Sequence, residues 1–291
     1  MNALTNPAHL QMPAIQPGAS LLDVFNQYGE LIDISNEVYH ADRSCVSSTA
    51  LKALLRSPAH FQHYFKKERK ETPSMFYGTA FHTRILEPEL FYQTYVTTLV
   101  TNKGKKEYKE FAEAAKGYRI LTVDQSKGLE MIAENIEGHA SARTLLLGGI
   151  KEQTLIWQDE ETGIWLKIRP DCLNFDADSG VCLDLKCTND ADEYAFVRSC
   201  LSYNYDFSAA MYLEGLRTIF QRDFDFAFLA VESDEPHQVA LYGAPDEMIQ
   251  RGRRRFRSAL RLLRKSLDSG EWPGYQPHGG YEVLNWPKYA Q

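Results

Sequence analysis

With 291 residues, 44% of them hydrophobic and 12% aromatic, the chain carries enough apolar surface for one large core or two small ones. Its formal net charge of −7 excludes a general attraction to nucleic acid, so any such contact has to come from local basic clusters. No run approaches the roughly 20 apolar residues that cross a bilayer, the start lacks the basic-then-apolar layout of a secretion signal, and five cysteines without a CxxC pair fit a reducing compartment, so a cytoplasmic protein without membrane contact is expected.

Residues 1–20 carry Asn, Pro, Gln and Gly without period and read as a flexible lead-in to one folded unit over 21–291. Its first part, 21–150, is expected to be mostly helical. "SSTALKALLRS" begins with Ser47 and Ser48 as cap candidates and stacks Leu51, Leu54 and Leu55. Pro58 ends that helix and starts the next, "PAHFQHYFKKERK". In "MFYGTAFHTRILEP", Ala80, Phe81, Ile85 and Leu86 form one stripe, and Pro88 stops it. "TNKGKKEYKEF" reads as a basic loop whose Lys103, Lys105 and Lys106 suit contact with a nucleic-acid backbone, after which Asp124 is expected to cap one long helix reaching "SARTLL".

At Lys151 the apolar period changes from 3.6 to 2, which predicts a sheet over the second part, 151–291. "EQTLIWQ", "GIWLKIRPDCLNF" and "GVCLDLKCT" read as an antiparallel meander, separated by the turn-like "DEETG" and "DADSG". Two helices follow, one from about Ala191 to Leu201 and one in "YDFSAAMYLEGLRTIF"; "DFAFLAVES" and "HQVALYGA" add strands. The last helix contains "RGRRRFRSALRLLRK", with eight Lys or Arg in fifteen positions. Phe256, Leu260 and Leu263 mark its buried side. The basic side, with Arg251, Arg253 and Arg254, is a solvated counterweight to acid elsewhere, a phosphate-contacting surface or a subunit contact. The expected fold class is α/β, a mixed sheet flanked by helices with an N-terminal helical portion.

One strand carries chemistry. In "GVCLDLKCT", Val181, Leu183 and Leu185 share one face, while Asp184 and Lys186 share the other. Strand neighbours in a short hairpin lie about 5 Å apart, so Asp171 can stand across from Asp184. Two converging carboxylates suit Mg²⁺ or Mn²⁺, and an adjacent lysine can steady a nucleophilic water or neutralise phosphate charge, a set of parts suited to phosphodiester hydrolysis. An isolated D-x-K is more often a solvated, self-compensating face; the second acid in "RPD" raises the signal.

Here the residues carry a resemblance. "RPDCLNFDADSGVCLDLKCT" resembles the motif of the PD-(D/E)xK nuclease superfamily, with its restriction-endonuclease-like core. In order along the chain, "SNEVYHADRSCVSSTALKALLRSPAHFQHYF", "FYGTAFHTRILEPELF", "YDFSAAMYLEGL", "FLAVES" and "SGEWPGY" resemble segments of the exodeoxyribonuclease VIII (RecE-type) nuclease domain of phages and prophages. The resemblance implies a metal-dependent exonuclease that digests one strand of linear duplex DNA from its 5′ end. The product would be a 3′ overhang for a single-strand annealing recombinase in a bacterial or phage-infected cell. It also implies ring-shaped homo-oligomers. Carried over by position, His82, Asp171 and Asp184 bind Mg²⁺ (or Mn²⁺) and Lys186 acts on the water. Glu152, opening the first strand of the meander, is a further acid near the site. The family's Tyr-x-x-Gln keeps its tyrosine as Tyr205 but has Ser208 in place of the glutamine. That departure keeps open a catalytically weakened protein that holds DNA ends or recruits an annealing partner, and relatives on the same fold keep open an endonuclease.

Overall fold

The computed structural model describes residues 20–28, 31–32, 34–66, 70–175, 179–276 and 279–284, so the expected lead-in lies outside the described residues apart from Ser20. The N-terminal part runs α1 (Leu21–Tyr28), β1 (Leu31–Ile32), α2 (Asn36–Ala41), β2 (Val46–Ser47), α3 (Ser48–Lys52) and α4 (Pro58–Lys66). It continues through α5 (Pro73–Leu86), α6 (Pro88–Thr94), β3 (Tyr95–Thr98), α7 (Lys106–Ala114), β4 (Arg119–Thr122), α8 (Val123–Gly138) and α9 (Ala140–Gly148). Prolines open α4, α5 and α6, where a missing N–H costs nothing and the ring already holds a helical φ. Ser47 caps α3 and Thr72 caps α5, each hydroxyl accepting a first-turn N–H.

Two helical expectations need correction. The cap of α8 is Thr122 rather than Asp124, because Thr122 and Gln125 satisfy each other's backbone N–H groups reciprocally. The expected long helix is also two: His139 leaves helical geometry, and its ring Nδ1 accepts the Ala142 N–H to start α9. Part of the expected basic loop is helical as well, since α7 begins at Lys106.

The second part comprises β5 (Ile150–Lys151), β6 (Thr154–Gln158), β7 (Trp165–Ile168), β8 (Cys172–Phe175) and β9 (Gly180–Thr188). Then come α10 (Glu193–Tyr203), α11 (Tyr205–Phe220), β10 (Asp225–Glu232), β11 (Val239–Gly243) and α12 (Asp246–Ser269). The expected meander is instead two antiparallel hairpins in two sheets. β6 and β7 lie in a sheet ordered β1-β6-β7-β2, and β8 and β9 in a sheet ordered β11-β10-β9-β8-β5. The alternation of "GIWLKIRPDCLNF" hides the break, but Pro170 has no N–H for a ladder, and the strand stops at Ile168 and restarts at Cys172.

β9 and β10 pair in parallel, so the chain must cross over between them, and α10 and α11 make that crossover. The larger sheet is therefore covered on both faces. Leu183, Leu185, Leu229 and Val231 pack with Phe81, Leu129 and Ile132 of α5 and α8. Cys182, Phe226 and Phe228 pack with Phe207 and Met211 of α11 and with Phe256 and Leu260 of α12. The face of β9 holding Asp184 and Lys186 thus looks toward α11 rather than open water. Among the described residues no helix is long and apolar enough to cross a membrane.

Candidate active site

Three chain segments converge where the two sheets meet. In the β8–β9 hairpin Cys172 faces Leu183, which puts Asp171, one residue before β8, at the level of Asp184. The Asp171 Oδ2 accepts the backbone N–H of Leu185 at 2.5 Å. On the other side of β8, Lys151 faces Cys172, which sets Glu152 beside Asp171, and the Glu152 N–H donates to the Asp171 carbonyl at 3.3 Å. Glu152 has a φ of 53°, uncommon outside glycine, where the chain passes from β5 in one sheet to β6 in the other. From α5, His82 brings its Nδ1 to 3.4 Å from Asp171 Oδ1. One donor atom each from His82, Glu152 and Asp171 all lie within 4.8 Å of one another.

These charges are crowded and little hydrated. Burial, then the negative charge of Asp171, pushes the Glu152 carboxyl up to about 7, although Arg169 Nε donates to Glu152 Oε2 at 2.6 Å. Burial opposes the charge on Asp171, but His82, Lys186 and the Leu185 N–H together hold its carboxyl below the usual range. Burial likewise disfavours a charged His82, yet Asp171 outweighs it and holds the imidazole above its ordinary value. An imidazole and two carboxylates whose donor atoms converge fit a Mg²⁺ or Mn²⁺ ion, whose charge would relieve the repulsion between Glu152 and Asp171.

Beside this cluster, Lys186 Nζ forms an ion pair with Asp184 and donates to the Leu185 carbonyl at 3.2 Å. Burial pushes the Lys186 ammonium down, but Asp184 and Asp171 outweigh burial and hold it above the usual lysine range. Burial also pushes Asp184 up, with Lys186 opposing the shift. Lys186 stands 5.1 Å from the centroid of the Tyr205 ring at the start of α11. All of these line one cleft of about 790 Å³, together with Ser48, Lys52 and Ser208.

Residues 47–283 match the family described as a PDDEXK-like domain of unknown function (DUF3799). The chain belongs to that family. Its Pro170-Asp171 and Asp184-Leu185-Lys186 stand where the name of the wider PD-(D/E)xK nuclease superfamily requires them, and the mixed sheet with flanking helices is the expected fold class. No curated protein sequence matches the chain. Among solved structures, a "Putative exonuclease" from Eubacterium rectale is similar over 88% of this chain and 96% of its own, with 16% identity and a TM-score of 0.58. SSO0001 covers 79% of this chain and 89% of its own at 12% identity and a TM-score of 0.28. LHK-Exo in complex with dAMP covers 78% and 93% at 12% identity and a TM-score of 0.30.

The PDDEXK-like domain brings some of the expected site residues together and disperses others. His82, Asp171 and Glu152 form the tightest group, and Asp184 turns instead to Lys186, so the trio His82, Asp171 and Asp184 expected around one ion is not the tightest set of donors. Tyr205 and Ser208 line the same cleft, the Ser208 hydroxyl donating to Ser48 Oγ at 3.5 Å. Lys103, Lys105 and Lys106 are exposed and none lines the cleft. On α12, Arg253 and Arg254 are exposed, but Arg251 is paired with the buried Asp206, which also binds Arg255. Arg257 is committed to Asp159, Glu161 and Glu214, and Arg261 to Glu161. Much of the basic side of α12 is therefore internal ion pairing.

Two cleft residues were not legible as such. Arg169 carries a signal, since it precedes the Pro170-Asp171 pair, but its role as the partner of Glu152 depends on the sheet crossing. Lys52 gives none, reading as the polar side of a short helix.

Proposed function

We propose that this PDDEXK-like domain is a divalent-metal-dependent exonuclease that digests linear double-stranded DNA in the 5′-to-3′ direction and leaves 3′ single-stranded overhangs. The observation that carries the reading is the cleft in which His82, Glu152 and Asp171 converge beside the Asp184–Lys186 pair. The choice of linear duplex, the polarity, an annealing recombinase as partner and a ring-shaped homo-oligomer are supported by the five ordered blocks that resemble RecE-type nucleases.

The chain's own groups divide the work. His82, Glu152 and Asp171 would hold the ion, with Asp184 close enough to act electrostatically on Asp171. A divalent cation held by these residues would supply Lewis acidity, making the attacking water more acidic and offsetting charge on phosphoryl oxygens. His82 would offer its ring nitrogen once it releases the proton that Asp171 stabilises. Lys186, kept as an ammonium by Asp184, donates to the nucleophilic water and fixes its line of approach. Water oxygen bonds to phosphorus as it releases a proton to solvent, the bond from phosphorus to the 3′ oxygen breaks, and the departing oxygen takes a proton from solvent, so that the products are a 3′ hydroxyl and a 5′ phosphate.

The test is incubation of the full chain with linear and closed circular duplex DNA, each labelled at one terminus where it has one, in Mg²⁺ or in EDTA. Linear DNA should disappear only in Mg²⁺, with early release of the 5′ label, and Asp171→Asn should abolish the loss while keeping the fold. Attack on the closed circle would make the protein an endonuclease. Retained binding with no digestion would make it a DNA-end-holding protein and refute catalysis.

A further inference from the structure

The cleft contains three matched pairs of opposite charge, Arg169 with Glu152, His82 with Asp171 and Lys186 with Asp184. Lys52 also lines it and has no carboxylate at ion-pair distance among the described residues. Its Nζ donates once, to the Tyr203 carbonyl at 3.0 Å, and stands 5.8 Å from the centroid of the Tyr205 ring. Lys186 sits over that same ring at 5.1 Å. Two ammonium groups thus share one aromatic ring, and one of them has hydrogens left to donate. Hydroxyl groups of Ser48 and Ser208 line the wall nearby, Ser48 on α3 with Lys52 and Ser208 one turn along α11 from Tyr205. Burial, then the charge of Lys186, pushes the Lys52 amine down to about 8, a shift that the more distant carboxylates of Asp184 and Asp206 oppose without cancelling. An anion on this side of Tyr205 would relieve both costs.

We infer that Lys52, with the hydroxyls of Ser48 and Ser208, holds a phosphate of the nucleic-acid strand next to the one being cleaved. The inference rests on the nuclease reading above. It places a second phosphate beside Tyr205 and the Asp184–Lys186 pair, so that one strand is gripped at two successive points and its cleaved bond is held in line. A phosphate is the class that fits because it accepts several hydrogen bonds at once and carries the charge Lys52 lacks opposite it. The alternative use of Lys52 is purely structural, as the cation that closes the C-terminal end of α10 through the Tyr203 carbonyl.

The two uses separate experimentally. Duplex binding by the full chain is measured by fluorescence anisotropy in Ca²⁺ over a range of salt, and kcat and KM in Mg²⁺, for wild type, Lys52→Gln and Lys52→Arg. Lys52→Gln should raise Kd and KM about tenfold and reduce the slope of log Kd against log salt by about one phosphate contact, and Lys52→Arg should recover most of both. Duplexes with and without 5′ phosphates locate the anion: a loss confined to the phosphorylated end assigns the terminal monoester, an equal loss an internal diester. A lysine that only closes α10 would lower Tm and leave KM and salt slope unchanged, and that result overturns the inference while the nuclease reading stands. Wild-type protein that neither binds nor cleaves DNA overturns both.

Discussion

Replacing Glu152 by Gln should flatten the pH dependence of metal binding. Burial and the neighbouring Asp171 carry the Glu152 carboxyl from 4.5 to about 7. At that value about one molecule in eleven presents the carboxylate at pH 6 and about ten in eleven at pH 8, so Mn²⁺ affinity should rise about tenfold across the window through Glu152 alone. His82 adds to the rise, because it too must release a proton before it can coordinate. The same shift has a cost in the metal-free fold. Its contribution to stability is fully present below the ordinary value of 4.5 and is lost as pH rises through about 7, an effect of about 3 kcal/mol for Glu152. Metal-free Tm should therefore fall from pH 5 to pH 8, and Mn²⁺ should restore it at the upper end. Isothermal titration calorimetry in two buffers of different ionisation heat counts the protons released. Glu152→Gln should bind Mn²⁺ more weakly at every pH, release about one proton fewer at pH 6 and lose most of the tenfold rise. A wild-type affinity independent of pH, or a variant with the wild-type slope, would refute the assignment of Glu152 to the donor set.

Two further predictions concern α12. Gly252 lies where a Cβ would come 1.9 Å from the Asp206 carbonyl oxygen on α11, so Gly252→Ala should cost about 2–3 kcal/mol, read as a lower urea midpoint; an unchanged midpoint would show that the helices can separate cheaply. Substituting the exposed Arg253 and Arg254 by Ala should leave stability within about 0.5 kcal/mol and reduce the salt slope of DNA binding by about two contacts, whereas Arg257→Ala should destabilise by on the order of 2 kcal/mol without changing that slope. A salt slope untouched by the Arg253 and Arg254 changes would remove α12 from the DNA path.

Asp171 opposite Asp184 was legible because a strand fixes side-chain direction by position and the short turn between them fixes pairing within a residue or two. The alternation also identified Leu183 and Leu185 correctly as a buried face. It failed at Pro170, where an unbroken apolar period runs across two different sheets; periodicity reports burial, not which sheet does the burying. Glu152 is readable as an acid near Asp171, but its approach to His82 depends on a left-handed residue and a docked helix, neither of which has a periodic signature. The basic side of α12 misled for a related reason. Its partners Asp159, Glu161, Asp206 and Glu214 lie far along the chain, and local charge density cannot reveal a distant counterion.

The donor set spans the seam between the α5 layer and the β8–β9 hairpin, and so it records the order in which the molecule can become competent. His82 belongs to a helix seated on the larger sheet, while Glu152 and Asp171 come from the backbone joining the two sheets. A folding intermediate with α5 still undocked lacks the imidazole, and one with the sheets unjoined lacks the juxtaposed carboxylates. Ion uptake at this place should then be a late event that certifies a finished fold, unlike the small metal-nucleated domains in which the ion comes first.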